Sequence, residues 1–397
     1  MNANIQHLAI FIIIGLLFSV TGIGQDAGSF NQLLDSIADM TPEEKNKTIT
    51  NYIMEKGRLP IIEGDTVVFL SRGLGDKAPR IASGFTGFLN PRYIKDPEVG
   101  TMTNIEDTHW FFLEKTLNPD ARIYYQIHFG DERNNDPLNP NLGFRFTLIN
   151  SMVQMPDFSI DPELVFDDFA QKGEVKEIVI HSKNLDHIRT PKVYLPAGYQ
   201  DSKNQYPTLY FHDGTAYVEM GKVPQILDYL IAHQKIQPVI AVFDDPKERG
   251  KEYRGGEGYI NYIDTELVPE IDRQFRTIPE REQRAVIGGS RGGLSSLILS
   301  HSTKHFSKCG TFSPAIIPRE MVDFTSFLKR KDYQPDQAYV LGAIYDGIWY
   351  PDALGLKAHF ENENTQLLYS EISQGHFIQG WISRLDEMLE YFFPYGE

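Results

Sequence analysis

Ala285-Val286-Ile287-Gly288-Gly289-Ser290-Arg291-Gly292-Gly293-Leu294 is the stretch that decides the fold. An apolar run ends at a serine fenced by glycines, and a helix-type pattern restarts behind it. In the G-x-S-x-G arrangement of Gly288, Ser290 and Gly292, the serine sits on a sharp strand-to-helix turn where side chains at the flanking positions would collide. Such a turn lifts the hydroxyl clear of the sheet and aims the Arg291 amide at a developing oxyanion. The motif alone is a modest signal, and its bland reading is a glycine-rich loop with an incidental serine. The strand pattern before it and the helix pattern after it favour a nucleophile.

Downstream, a strand over Tyr339 to Ile344 ends at Tyr345-Asp346-Gly347, and one over Gln366 to Ile372 ends at Ser373-Gln374-Gly375-His376. The chain order serine, acid, histidine is that of an α/β-hydrolase triad, with each member at the C-terminal end of a strand. His376 is placed to take the proton from Ser290 and return it to the leaving group, and a carboxylate orients its ring. Asp346 is the first choice for that carboxylate and Asp352 the reserve, since Asp-Gly is also an ordinary turn pair. Upstream, the buried-type strand Thr208-Leu209-Tyr210-Phe211 leads into His212-Asp213-Gly214-Thr215, where Gly214 or Thr215 supplies the second oxyanion donor beside Arg291. A metal on His212 and Asp213 is disfavoured, because adjacent residues at a strand end point apart and no third ligand is evident. The constellation needs no cofactor.

Around these points the chain alternates strands such as Val239 to Phe243 with helices over Val223 to His233, Tyr259 to Phe275 and Trp381 to Phe393. Val175 to His181 and Lys192 to Leu195 read as strands of an antiparallel edge. The pattern predicts a mostly parallel sheet with helices on both faces. Residues 61–160 differ: short β-type runs (Thr66 to Leu70, His109 to Leu113, Ala121 to Ile127, Gly143 to Phe146) are separated by turn clusters, the pattern of a β-sandwich. The expected organisation is a signal peptide over 1–24, a helical lead-in over 25–60 starting a helix at Thr41-Pro42-Glu43-Glu44, an immunoglobulin-like sandwich over 61–160 and the hydrolase domain over 161–397.

The lead segment has an apolar stretch from Leu8 to Val20 and then small residues to Gly24, with no Lys or Arg ahead of it. It is read as a cleaved secretory signal, the rivals being a retained anchor or a buried helix. The predicted location is periplasmic or secreted, with no stable membrane insertion after cleavage. Across 397 residues the net charge is −16, which argues against a nucleic-acid backbone or an anionic membrane surface as partner. The single cysteine, Cys309, rules out an intrachain disulfide, so stability rests on packing.

The segments Tyr206 to Tyr210 with His212-Asp213-Gly214, Ile226 to Ile231, Pro238 to Pro246, Arg249 with Glu252-Tyr253, Glu266 to Asp272, the serine turn and Gly375-His376 together resemble the enterochelin (ferric-enterobactin) esterase family, within the esterase D and feruloyl esterase group. Gly84 to Phe88, Asp136 to Pro140 and Met152 to Pro156 are similar to that family's N-terminal immunoglobulin-like domain, which helps shape the substrate cleft. The resemblance implies serine-dependent hydrolysis of a carboxylic ester, carries Ser290 and His376 as catalytic and Asp346 less firmly, and spans siderophore lactones, feruloyl esters and acetylated sugars. His212 and Arg291 depart from the family's usual smaller or apolar residues. The expected substrate is an aryl or phenolic ester, such as a catecholate siderophore lactone, or a feruloyl or acetyl ester of a polysaccharide. Arg249, Arg254 and Trp349 are candidate substrate contacts, the arginines for an anionic or planar aromatic group. The alternatives are a non-catalytic glycan or ligand binder that keeps the fold, and a serine peptidase.

Overall fold

The computed structural model describes residues 28–75, 77–87, 98–145, 148–159, 172–316 and 333–396. The expected signal peptide lies outside the described residues. Among the described residues up to Gly57, the chain is a compact unit of two helices, α1 (Phe30–Ile37) and α2 (Pro42–Lys56). Both begin with a reciprocal capping box, Ser29 with Gln32 and Thr41 with Glu44, which satisfies amide donors that a helix start leaves open. The left-handed Gly57 closes α2.

Among the described residues, the second unit starts with nine strands: β1 (Ile61–Glu63), β2 (Thr66–Arg72), β3 (Arg80–Ser83), β4 (Thr103–Asn104), β5 (Trp110–Thr116), β6 (Arg122–Phe129), β7 (Glu132–Asn134), β8 (Leu142–Arg145) and β9 (Leu148–Gln154). They form two antiparallel sheets, ordered β1-β2-β5-β4 and β3-β6-β9-β8, with β7 added to β6. Alternate residues face inward, Val67 and Phe69 from one sheet and Ile123, Tyr125 and Ile127 from the other, so a shared apolar core forms between them.

The remaining strands are β10 (Glu174–Glu177), β11 (Ile180–Ser182), β12 (His187–Arg189), β13 (Lys192–Leu195), β14 (Thr208–His212), β15 (Ile240–Asp244), β16 (Arg284–Gly289), β17 (Lys308–Phe312), β18 (Gln337–Ala343) and β19 (Gln366–Ile372). Eight of them make one sheet in the order β10-β13-β15-β14-β16-β17-β18-β19, antiparallel at β10-β13-β15 and parallel from β15 onward. The period of two divides its side chains between two cores: Leu209, Phe211, Ala285 and Ile287 on one face, Tyr210, Val242 and Val286 on the other. The helices covering the faces are α3 (Val223–Ala232), α4 (Arg249–Glu252), α5 (Glu257–Tyr262), α6 (Val268–Gln274), α7 (Arg291–Ser302), α8 (Tyr350–Phe360), α9 (Ile378–Ile382) and α10 (Leu385–Phe392). This is an α/β-hydrolase fold with a smaller β-sandwich ahead of it.

Three expectations are refined. The strand expected over Val175 to His181 divides, and its second part forms a separate hairpin, β11 with β12. The helix expected over Tyr259 to Phe275 is α5 and α6 joined by a π-helical turn at Ile263–Leu267. The final helix expected from Trp381 to Phe393 is two, α9 and α10; the Ser383 hydroxyl donates to the Gly380 carbonyl at 2.8 Å, a local bond that competes with helix continuation.

Candidate active site

Strand β16 delivers Ser290 to a turn with φ 59° and ψ −124°, a region costly for a residue with a Cβ. Bonds on both sides hold it there: the Ser290 amide donates to Phe312 O at 2.8 Å, and the Ala315 amide donates to Ser290 O at 3.0 Å. The flanking glycines are sterically required. A Cβ on Gly288 would overlap the backbone of Gly292, and one on Gly292 would press on His212 Cβ at 3.1 Å. Arg291 then opens α7, where first-turn amides have no partner within the helix.

Two strands away, the loop after β18 carries Asp346, and the edge strand β19 leads to His376. Asp346 is fully buried, and its carboxylate accepts from His376 Nδ1 at 2.8 Å, which directs Nε2 away from the acid. His376 is itself buried between two indoles: Trp349 is tilted at 6.1 Å between ring centroids, and Trp381 stands edge-on at 5.1 Å. Trp381 also closes on the serine turn, because a Cβ on Gly289 would overlap its ring, and its Nε1 donates to Ser313 Oγ at 3.1 Å. A single tryptophan thus spans from the serine strand to the histidine. From the sequence Trp381 reads only as the start of the last helix; its place five residues beyond His376 is the signal that links it to the site.

Asp352, the reserve acid, does not touch the ring. Its carboxylate accepts from the Ile316 amide at 2.9 Å, and it is pushed up to about 7, chiefly by burial, with the charge of Asp346 adding to the rise.

The loop after β14 turns sharply at Asp213, whose φ is 56°. Here one expectation is corrected. The Thr215 amide donates to the Asp245 carboxylate at 3.0 and 3.1 Å, and its hydroxyl bonds the same group, so Asp245 takes up both donors of Thr215 and leaves none for a ligand. Gly214 is the remaining candidate on this loop; a side chain there would overlap the backbone of Phe243 and Asp244. Arg249 is likewise re-read. Its Nε and Nη2 bond both Asp213 oxygens, at 2.7 and 2.8 Å, so two of its donors hold the loop in place. The Asp213 amide donates to the Tyr253 hydroxyl at 2.8 Å from the same side. Arg291 extends over α4 toward Gly250, and Arg254 is exposed.

Beneath the loop lies a buried polar layer. Arg189 from β12 pairs with Asp244, and with Glu252 at 2.6 Å, and its guanidinium lies over the Tyr262 ring at 4.9 Å. Burial raises Asp244 to about 6 despite this partner. His212 bonds the Tyr259 hydroxyl through Nδ1 at 3.0 Å; burial, with Arg249 and Arg189 nearby, lowers it to about 3, so its ring is neutral. His212 belongs to the support of the turn, which explains a polar residue at a strand end that is otherwise apolar. Among the described residues, no group of three or more His, Cys, Asp or Glu is arranged to hold a metal ion, and no helix is long and apolar enough to cross a membrane.

Residues 182–375, from the last residue of β11 to the glycine just before His376, match the family described as Putative esterase. The chain is 30% identical over 167 residues to an endo-1,4-beta-xylanase/feruloyl esterase of Xylanibacter ruminicola, a match covering 38% of this chain and 23% of the relative. It is 31% identical over 136 residues to the uncharacterized protein YjcH of Bacillus subtilis, covering 32% of this chain and 56% of that one. The chain therefore spans less than two thirds of either relative. Among solved structures, the ferric enterobactin esterase of Salmonella typhimurium superposes with a TM-score of 0.65 at 16% identity, covering 87% of this chain and 98% of that one. The enterobactin esterase of Shigella flexneri gives 0.63 at 18%, covering 82% and 92%. At these identities the likeness shows the fold, sandwich included.

Proposed function

We propose that this protein is a serine-dependent carboxylic-ester hydrolase, exported after removal of its N-terminal signal, acting on an aryl or phenolic ester such as a catecholate siderophore lactone or a feruloyl or acetyl ester of a polysaccharide. The observation that carries the reading is the buried Asp346–His376 pair, bridged by Trp381 to the strained Ser290 turn. Ser290 Oγ attacks the ester carbonyl carbon while its proton passes to His376 Nε2, and Asp346 balances the imidazolium. The amides of Gly214 and Arg291 receive the oxyanion. The intermediate collapses, the C–O bond breaks, and the alkoxide leaves with the proton from His376; water, deprotonated by the same ring, then hydrolyses the acyl-serine. The feruloyl and enterobactin esterase relatives support the choice of phenolic esters. Arg291 and Arg254 remain candidates for an anionic or aromatic group of the substrate, and Trp349, beside His376, for the wall of the acyl pocket.

The test is hydrolysis of a panel of nitrophenyl, feruloyl and acetyl-sugar esters and a catecholate lactone by the chain and by Ser290→Ala. Turnover by the former and at least about a 10³-fold loss in the latter are expected. Equal inactivity of the two across the panel would refute the reading.

A further inference from the structure

We propose that the β-sandwich positions the Asp346–His376 pair, with Gly84 and Tyr345 as the positioning residues; the inference rests on the catalytic reading above. The sandwich meets both loops that carry the pair. Its turn at Gly84–Thr86 lies against the acid loop so closely that a Cβ on Gly84 would overlap the Tyr345 carbonyl oxygen. A Cβ on Gly347, whose φ is +61°, would come within 2.6 Å of Gly84 O and 3.0 Å of the Gly87 carbonyl carbon. Asp346 is thus held from both sides by backbone-on-backbone contact that only glycine permits. The Tyr345 ring is part of the sandwich core, and its hydroxyl accepts from the Asn118 amide at 2.8 Å and donates to Asn118 Oδ1 at 3.2 Å.

The histidine loop is gripped by the same sheet. The Arg122 amide donates to Ser373 O at 3.0 Å, and β6 starts alongside Gln374 as a parallel bridge. Asn118 Nδ2 donates to Ser373 Oγ at 2.9 Å, and the Tyr124 ring packs edge-on to Phe377 at 4.5 Å. The Tyr345 amide donates to Gln374 O at 3.0 Å, tying the two loops to each other. Loops at strand ends are ordinarily the least ordered parts of a domain, and a 2.8 Å bond between residues on two of them requires both to be fixed. The sandwich does that fixing. A sandwich that only shapes a cleft acts on KM, whereas one that sets the pair's geometry acts on kcat.

The experiment compares full-length Gly84→Ala and Tyr345→Phe with Val67→Ala, a cavity variant on β2 in the same core. It reads kcat and KM on a responsive ester, and the low-field NMR resonance of the proton shared by His376 and Asp346, which needs no turnover. Both positioning variants are expected to lower kcat about tenfold or more with KM within about twofold, and to shift or broaden the resonance. Val67→Ala is expected to lower the melting temperature while keeping both. Wild-type kcat and resonance in folded Tyr345→Phe, or an equal kcat loss in Val67→Ala, overturns the proposal; Tyr345→Phe decides if Gly84→Ala fails to fold. Should the parent chain hydrolyse no ester, the catalytic reading fails separately and the resonance still decides whether the sandwich sets the pair.

Discussion

Replacing Asp346 by Asn keeps the shape of the side chain and removes its charge. The carboxylate is fully buried and lies 2.8 Å from His376 Nδ1. At that distance, and at an effective dielectric constant of about 20, a carboxylate stabilises an imidazolium by about 6 kcal/mol. The amide loses that term, and by donating to Nδ1 it leaves the imidazole proton on Nε2, where the ring can no longer accept from Ser290. Since about 1.4 kcal/mol corresponds to a tenfold change in rate, Asp346→Asn is expected to lower kcat on p-nitrophenyl acetate by roughly 10⁴-fold. Asp352→Asn is expected to stay within about threefold of the parent, because Asp352 bonds the Ile316 amide and not the ring. If Asp346→Asn kept its rate within about tenfold while Asp352→Asn lost it, the electrostatic argument and the choice of acid would both be wrong.

Two other outcomes follow from the buried charges. Arg189→Met leaves Asp244 and Glu252 in the interior without their shared cation, so urea denaturation should show about 3–5 kcal/mol of lost stability; a loss under about 1 kcal/mol would mean that water reaches the cluster. Asp352, held up to about 7 against about 3.9 in an unfolded chain, binds more protons folded than unfolded between those values, so its ionisation costs stability as pH rises through that window. Asp352→Asn should therefore stabilise the protein by about 1–2 kcal/mol at pH 8, allowing for screening of a partly exposed group, and by almost nothing near pH 4. A gain of equal size at both pH values would exclude titration of Asp352 as its source.

The serine turn was readable because the constraint is local: one strand, one serine and the glycines that fit around it lie within ten residues. Asp346 and His376 were found by chain order and strand ends, and their pairing needed only the parallel register of β18 with β19. The donor loop was half legible. Asp213-Gly214 marked the bend, but the capture of the Thr215 amide by Asp245 depends on a residue thirty positions away on the neighbouring strand's loop. The pairing of Arg249 with Asp213 was hidden for the same reason, since an arginine near the mouth in sequence gives no sign of which carboxylate holds it. The break after Ile382 goes with a serine hydroxyl whose choice of acceptor the helical periodicity does not encode.

Composition, the alternation of strand and helix patterns and the glycine-fenced serine by themselves determined a two-part chain with a parallel-sheet hydrolase domain, because period and turn chemistry are properties of short windows. What only the tertiary structure decided is which residues meet at the strand ends. Trp381 joins the serine strand to the histidine, Arg249 locks the Asp213 turn, and Gly84 of the sandwich lies against the loop of Asp346. These are contacts between residues dozens to hundreds of positions apart, set by sheet order and by how closely two backbones approach, and no local pattern carries that information.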